Sequence, residues 1–274
     1  VDGSRFQDAV VDYAAWVSRT LRAPLKFLHN IEQRAAAPAD LSGSIGISAR
    51  EELLAELVEL ESKRSKIMLE QGKLMLENAH QRALVAGAQD VLKIQRHGSL
   101  TESLIDLEQE IRVLVIGVRG EEHTPEDTKL GAHLETVIRS LHRPILVVNK
   151  PFTEPPSRCM LAYDGSASAT MAVDMMVTSA LFRGMTCHLV NVSKEEESPL
   201  LQPPAARLEK AGFSVITASR HGDVGHQLAE YQQNQNIELT LMGAFGHSRL
   251  RELLFGSVTH QMLLQSRVPL LLMR

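Results

Sequence analysis

The sequence predicts an α/β protein made of two repeated, doubly wound units, each a five-stranded parallel sheet with helices on both faces. Three observations predict it. Short apolar runs alternate with amphipathic segments along all 274 residues, the pattern of strands joined by crossover helices. Asp2-Gly3-Ser4 recurs as Asp164-Gly165-Ser166, an offset of 162 that then holds without a gap, so that Val11-Asp12 falls on Val173-Asp174 and Leu28-His29-Asn30 on Val190-Asn191-Val192. Late in each half, an apolar run leads straight into a loop with paired glycines. Ligands of such sheets collect at the carboxyl ends of the strands, where both Asp-Gly-Ser turns and both glycine loops fall.

The first half opens on its Asp-Gly-Ser turn, which caps an amphipathic helix, and continues into the apolar run that ends at Leu28-His29-Asn30. By the repeat, Val1 stands where Tyr163 stands in the second half, and Tyr163 follows a strand over Arg158 to Ala162. The expectation is a native chain that begins at least five residues earlier and supplies the matching strand, five being the length of the Arg158 to Ala162 run. Between the second strand and the glycine loop the first half is longer by 36 residues, the difference between offsets of 162 and 126, and the excess falls near residues 33 to 88. Residues 35 to 40, Ala-Ala-Ala-Pro-Ala-Asp, read as loop. Ser48 with Glu51 reads as a capping box that opens a long helix, and Gly87 as its end. Such a helix has about 39 residues and spans about 58 Å, longer than a small sheet.

Within it Leu53, Leu57, Leu60, Ile67 and Leu74 follow steps of four and three, with Arg64 and Gln71 in the intervening slots. This heptad-like stripe has two readings, a face that covers its own sheet or a contact surface for another domain or chain, and periodicity alone serves both. Further strands are expected near Val91 to Gln95, over Ile111 to Val118 and over Pro144 to Asn149.

Pro151, Pro155 and Pro156 mark a linker, which divides the chain into domains over residues 1–150 and 156–274. The second half repeats the plan, with later strands expected over Ser214 to Ala218, Ile237 to Met242 and Pro269 to Met273. After the fourth strand come Met242-Gly243-Ala244-Phe245-Gly246, nine further residues, then Gly256-Ser257 and an apolar-periodic segment from Val258 to Leu264. Strand, glycine loop and helix aim backbone N–H groups and the positive end of a helix at one point, which suits a phosphate. Gly243 and Gly246 would allow positive φ or close approach of a ligand, and Gly256-Ser257 would set N–H groups and a hydroxyl at the helix start. His247, Arg249 and Arg251 stand against a single Glu252, a balance that favours an anion. A glycine pair taken alone is equally well turn punctuation.

Gly243, Gly246, Gly256 and Ser257 together fit Gly-x2-Gly-x9-Gly-Ser/Thr, and here the chain resembles the universal stress protein family, whose nucleotide-binding signature this is. The segment is no Walker A loop, which needs a Lys just before its Ser/Thr. The resemblance implies a second domain that binds ATP together with Mg2+. It implies an adenine end held by Asp164 and by main chain at Val192, with Met242 beside the ribose and the Val258 N–H on a phosphate. Asp164 is also well placed as a turn and helix-capping residue. Because family members commonly pair through the fifth strand, the two halves are expected to form a pseudo-dimer within the chain, which a homodimer would extend.

The first half carries a departure from the signature, Gly117-Val118-Arg119-Gly120, then ten residues, then Gly131-Ala132. Its spacer is one residue longer, Ala132 replaces the hydroxyl residue, and Glu121, Glu122, Glu126 and Asp127 face only Lys129. Like charge repels a polyphosphate, so this site is expected to be impaired for ATP. Asp2 matches Asp164, while Asn30 replaces Val192, a change without effect if only main chain is used.

A net charge of −4, a pI near 6.3 and 4% aromatic residues argue against a nucleic-acid partner. No apolar run reaches the roughly 20 residues of a membrane span. Two cysteines, Cys159 and Cys187, are too few for a disulfide framework and fit a reduced, cytoplasmic setting. Eleven histidines include no His-x3-His spacing, so no metal site is expected. The expectation is an ATP-binding regulator of a stress response whose turnover, lacking an evident general base, is at most slow hydrolysis or self-phosphorylation. The alternative is a nucleotide-free interaction module that works through the long helix.

Overall fold

A computed structural model describes residues 1–31, 47–120, 130–193, 199–244 and 257–274, without the side chains of 47–54 and 132. In the first half the order is α1 (Gln7–Leu21), β1 (Leu25–Ile31), α2 (Ile47–Val85), β2 (Val91–His97), α3 (Leu100–Asp106), β3 (Leu114–Gly117), α4 (Ala132–Ser140) and β4 (Ile145–Val148). The second half runs β5 (Arg158–Ala162), α5 (Ala167–Thr178), β6 (Thr186–Val192), α6 (Gln202–Lys210), β7 (Ser214–Arg220), α7 (Val224–Asn234), β8 (Leu239–Gly243), α8 (Ser257–Gln265) and β9 (Leu270–Met273). The α/β class and the alternation read from the sequence both hold.

In the second half the strands lie in the order β7-β6-β5-β8-β9, all parallel, the doubly wound arrangement. The four strands of the first half stand as two parallel pairs, β1 with β2 and β3 with β4. Among the described residues no strand joins the two pairs. β4 lies antiparallel to β9, with Leu146 opposite Leu271, so one seven-stranded sheet crosses both halves. The fifth strands thus pair within one chain, as expected.

Alternation along these strands divides the core in two. Leu146, Cys159, Leu161, Cys187, Leu189 and Leu271 face α1, α5 and α6 in one cluster, and Ile145, Val147, Met160, Val190, Leu270 and Leu272 face α4, α7 and α8 in the other. Cys159 and Cys187 sit opposite each other on β5 and β6, free and fully buried, as small hydrophobic side chains.

The repeat survives at the level of single hydrogen bonds. Val1 N donates to Leu28 O at 2.7 Å as Tyr163 N donates to Val190 O at 2.8 Å. His29 Nδ1 and Asn191 Nδ2 make the corresponding contacts to Val1 O and Tyr163 O at 2.9 and 2.7 Å. Ser4 N and Ser166 N each donate to Oδ1 of the Asp two residues before, at 3.0 and 2.9 Å.

The large departure from the repeat is α2, whose 39 residues match the expected length. Its end is a Schellman closure with Gly87 at φ +84, where Ala88 N donates to Ala83 O and Gly87 N to Leu84 O, both at 2.9 Å. The shorter α6 ends the same way at Gly212, φ +92, so the two helices share a C-terminus and α2 is extended at its N-terminal end. The Ser48 and Glu51 side chains, read as a capping box, lie outside the described residues. A crossover helix runs against its strands, so the extension overhangs the carboxyl edge of β1 and β2. The sheet-facing stripe is Gly72, Leu76, Ala79 and Ala83, which packs with Phe27, Val11 and Ala15. Gly72 is required there because a side chain would collide with Gln95 and the His29 ring. The heptad stripe read from the sequence is a different face. Leu74 stands two residues from both Gly72 and Leu76, about 200° around the helix, and points away from the sheet.

Candidate functional site

The chain leaves β5 for β6 and β7 on one side, then returns to place β8 and β9 on the other, so the switch point of the second sheet lies between the carboxyl ends of β5 and β8. Asp164 and Gly243 stand on either side of it. Asp164 is exposed and its Oδ1 holds the Ser166 N–H, while Gly165 takes φ +77 and Ser166 Oγ caps α5 by accepting from Ala169 N at 3.2 Å. The turn and capping role is therefore present whatever else the carboxylate does.

Val192 ends β6. Ser193 N donates to Arg220 O at 3.0 Å, on the β7 side, so strand alternation directs the N–H and C=O of Val192 to the other side, over the end of β5. The β5–β6 ladder stops at Ala162 and Val190, and the chain turns away at Asp164. Beside it opens a cleft of about 450 Å3 lined by Val192, Ser193, His221, Gly222 and Val224. His221 Nδ1 shares a 2.9 Å hydrogen bond with Ser193 O, both residues of its lining. Asp223 caps α7 by accepting from His226 N and also takes the Gln261 amide, and these bonds hold its carboxyl below the usual range. Sequence reasoning had not picked out Ser193, His221, Gly222 or Val224 as site residues. The available signal was the Gly-Asp pair between strand and helix, matched in the first half by Gly98-Ser99.

Gly243 does not take a positive φ, and its glycine has a packing reason. A Cβ there would collide with Ser168 Oγ in the first turn of α5, as one at Gly117 would come within 3.2 Å of Phe6 Cβ. Met242 is 4% exposed in the core with Met262 and Leu263, so what it can offer a ligand at the strand end is main chain rather than thioether. Ser257 is the exposed first residue of α8 and Val258 follows it. Thr259, unmarked by the sequence reading, ties this helix start to β8 by donating to Ala244 O at 2.8 Å and Gly243 O at 3.4 Å. Gly246, His247, Arg249, Arg251, Glu252 and Gly256 lie outside the described residues, as do Glu121, Glu122, Glu126, Asp127 and Lys129 of the first-half loop. Asp164, Val192, Met242, Gly243, Ser257 and Val258 are thus placed along one sheet edge.

The first half differs at the matching place. Asn30 Nδ2 donates to Ser103 Oγ at 2.7 Å and to Gly98 O and Ser99 O at 3.3 Å, which straps the end of β1 to the start of α3. The bridge crosses the position that is open in the second half, where Val192 has no side-chain donor. Asn30 therefore makes a side-chain bridge that Val192 cannot make. Gly120 closes on the same site, where a Cβ would be 3.2 Å from Asp2 Oδ2.

His188, by contrast, is a core residue in mid-strand, 3% exposed, sharing a 2.9 Å hydrogen bond with the Tyr231 hydroxyl. Burial, helped by Arg158, lowers its pKa. The imidazole is neutral in the fold and charges on unfolding, so the stability it protects is complete above the unfolded pKa of about 6.5 and is lost as pH falls below that. The melting temperature is expected to drop from pH 7 to pH 5, and His188→Gln to flatten that slope, as calorimetry at the two pH values would read. An equal slope in both proteins would assign the pH dependence elsewhere.

Among the described residues no three His, Cys, Asp or Glu side chains form a metal-holding group, and no helix is long and apolar enough to cross a membrane. Against known proteins, the model of the Universal stress protein family matches residues 1–149 and 156–274. Universal stress protein Slr1230 of Synechocystis is 36% identical over 280 residues, covering 100% of this chain and 97% of that protein. A universal stress protein crystal structure from Archaeoglobus fulgidus superimposes with a TM-score of 0.71 at 17% identity, covering 100% of this chain and 96% of that one. A universal stress protein solved in complex with cAMP matches 44% of this chain and 98% of its own, at 21% identity and a TM-score of 0.38.

Proposed function

The chain belongs to the universal stress protein family in both of its halves, and from that premise we propose that its second domain binds ATP with Mg2+ and acts as a nucleotide-dependent regulator in a stress response. The observation that carries this reading is the cleft at the end of β6, next to a switch point whose other side leads into Gly243 and the glycine loop. The donor set suits the nucleotide part by part. Val192 offers an N–H and a C=O side by side, the pattern that reads the edge of an adenine. The Asp164 carboxylate accepts from a ribose hydroxyl or an amino group. Ser257 and the Val258 N–H open α8, whose positive end attracts phosphate oxygens. Mg2+, which keeps much of its water, would ride on those oxygens with the Ser257 hydroxyl in reach of the same place, and its chemistry there would be charge neutralisation.

In this reading the first domain is closed to ATP. The Asn30 bridge crosses the place of the cleft and Gly120 closes on Asp2, which adds a steric reason to the acidic loop composition. Bound nucleotide would set a conformation or a partner affinity of the protein. Slow hydrolysis or self-phosphorylation is compatible with this role and is not needed for it.

The test is mass spectrometry of nucleotide released on denaturing the purified protein, beside a Gly246→Glu variant that puts an acid into the phosphate loop. ATP is expected from the parent and none from the variant. Equal retention by both would remove the second domain as the site, and no nucleotide in either, even after addition of ATP and Mg2+, would overturn the proposal.

A further inference from the structure

On α2, Leu57, Leu60, Ile67 and Leu74 are 43%, 57%, 59% and 64% exposed, on the face turned away from β1 and β2. Four large apolar side chains at heptad spacing on one helix are more than scattered surface residues. The sheet is covered by the opposite stripe, so this face contributes nothing to the fold of its own half. We propose that it is a homodimer surface, on which α2 of a second copy packs antiparallel as a short two-stranded coiled coil. The proposal is independent of nucleotide binding.

The charges along the helix select that partner and its direction. With Leu57, Arg64 and Gln71 as one set of core positions and Leu60, Ile67 and Leu74 as the other, Glu56, Lys63 and Glu70 flank the first set and Glu61 and Met68 the second. A parallel, in-register pair would bury Arg64 against the partner's Arg64 and set Glu56 beside the partner's Glu61, both repulsive. An antiparallel pair with Arg64 opposite the partner's Ile67 removes both of these clashes and leaves one like-charge pair, Glu56 beside the partner's Glu77, at each end of the contact, where solvent screens it. It places Leu57 on the partner's Leu74, Leu60 on the partner's Gln71, and Lys63 beside the partner's Glu70 twice over by symmetry. Shifting this register by one heptad one way sets Lys63 against Lys63 and Glu56 against Glu70, and shifting it the other way sets Glu70 against Glu70 and leaves Leu57 and Leu60 opposite the partner's Gln81 and Asn78 instead of apolar or seam positions. Arg64, opposite an aliphatic side chain, extends its stem along the seam and its head to water. The ion pairs these residues now make, Lys63 with Glu59 and Lys73 with Glu70, both at 2.7 Å, are exposed and cheap to exchange.

The rest of the fold leaves room for this contact. The fifth-strand edges are already used by β4 and β9 within one chain, so another copy must dock elsewhere. The overhang carries Leu57 and Leu60 clear of the sheet, and Leu74 stands on the outer face of the part that covers it.

Sedimentation velocity of the whole chain is expected to show a concentration-dependent dimer. Leu60→Glu with Ile67→Glu should leave the melting temperature unchanged and yield only monomer. Lys63→Glu should weaken dimerisation about tenfold or more, equivalent to about 1.4 kcal/mol, and Glu70→Lys added to it should restore the parent affinity. A parent that stays monomeric at high concentration, or a dimer indifferent to all of these changes, would sink the proposal. So would efficient disulfide cross-linking of Leu57→Cys to itself, which requires the parallel arrangement, because the antiparallel register sets the two copies of residue 57 about 25 Å apart.

Discussion

Trp16→Ala is expected to cost about 3 to 5 kcal/mol and to lower the melting temperature of both halves together, in one transition. Trp16 lies on α1, within the first repeat, and is 4% exposed. The cluster it fills is shared with the second: Cys159, Leu161, Phe182, Leu271 and Met273 stand in it beside Leu146 and Val148. Phe152 of the linker completes the joint, with its ring edge-on to Tyr13 at 4.9 Å and 6.2 Å from the Trp16 ring. Removing the indole leaves a cavity that neither half can close alone, because its walls come from α1, from the linker and from the 180–182 turn. Differential scanning calorimetry would read this as a single peak displaced downward. Two peaks with only one displaced would mean that the halves unfold independently despite the shared cluster.

Val192→Asn is expected to weaken ATP binding about tenfold or more, about 1.4 kcal/mol, while leaving the fold intact. The first half has already made this substitution. Asn30 bridges Gly98 O and Ser99 O, and the equivalent carbonyls beside Val192 belong to Gly222 and Asp223. An amide there would strap β6 to the start of α7 across the cleft and take up the space next to the main chain of residue 192. Calorimetric titration with ATP and Mg2+ measures the loss, and the reciprocal Asn30→Val tests whether opening the first half admits a ligand. Unchanged affinity in Val192→Asn would place the adenine outside this cleft.

Some of this was legible in the sequence for a plain reason. Backbone chemistry is local, so an Asp-Gly-Ser turn, a glycine after an apolar run and the period of an amphipathic helix each announce an element within a few residues of themselves. The repeat at 162 residues carried the order of strands and helices along the chain as well, since each copy repeats the succession of the other. Gly87 at the end of α2 and the 39-residue length of that helix followed from the same local rules. The glycine at 243 was legible as special, but the reason for it, the crowding of Ser168, sits 75 residues away in sequence.

The sequence by itself determined the α/β class, the tandem repeat, the family signature at Gly243, Gly246, Gly256 and Ser257, and the existence of a heptad stripe. Only the tertiary structure decided which way that stripe faces, because periodicity fixes the angle between residues on one helix and not the angle between helix and sheet. It alone brought Ser193, His221, Gly222 and Val224 to the wall of one cleft, and alone turned Asn30 from a silent change into a bridge. The joining of β4 to β9, segments 125 positions apart, was expected from the family resemblance alone, because no local pattern encodes it, and the structure set its antiparallel register. Each of these depends on distances between segments remote in the chain, which burial of apolar surface sets and sequence spacing does not.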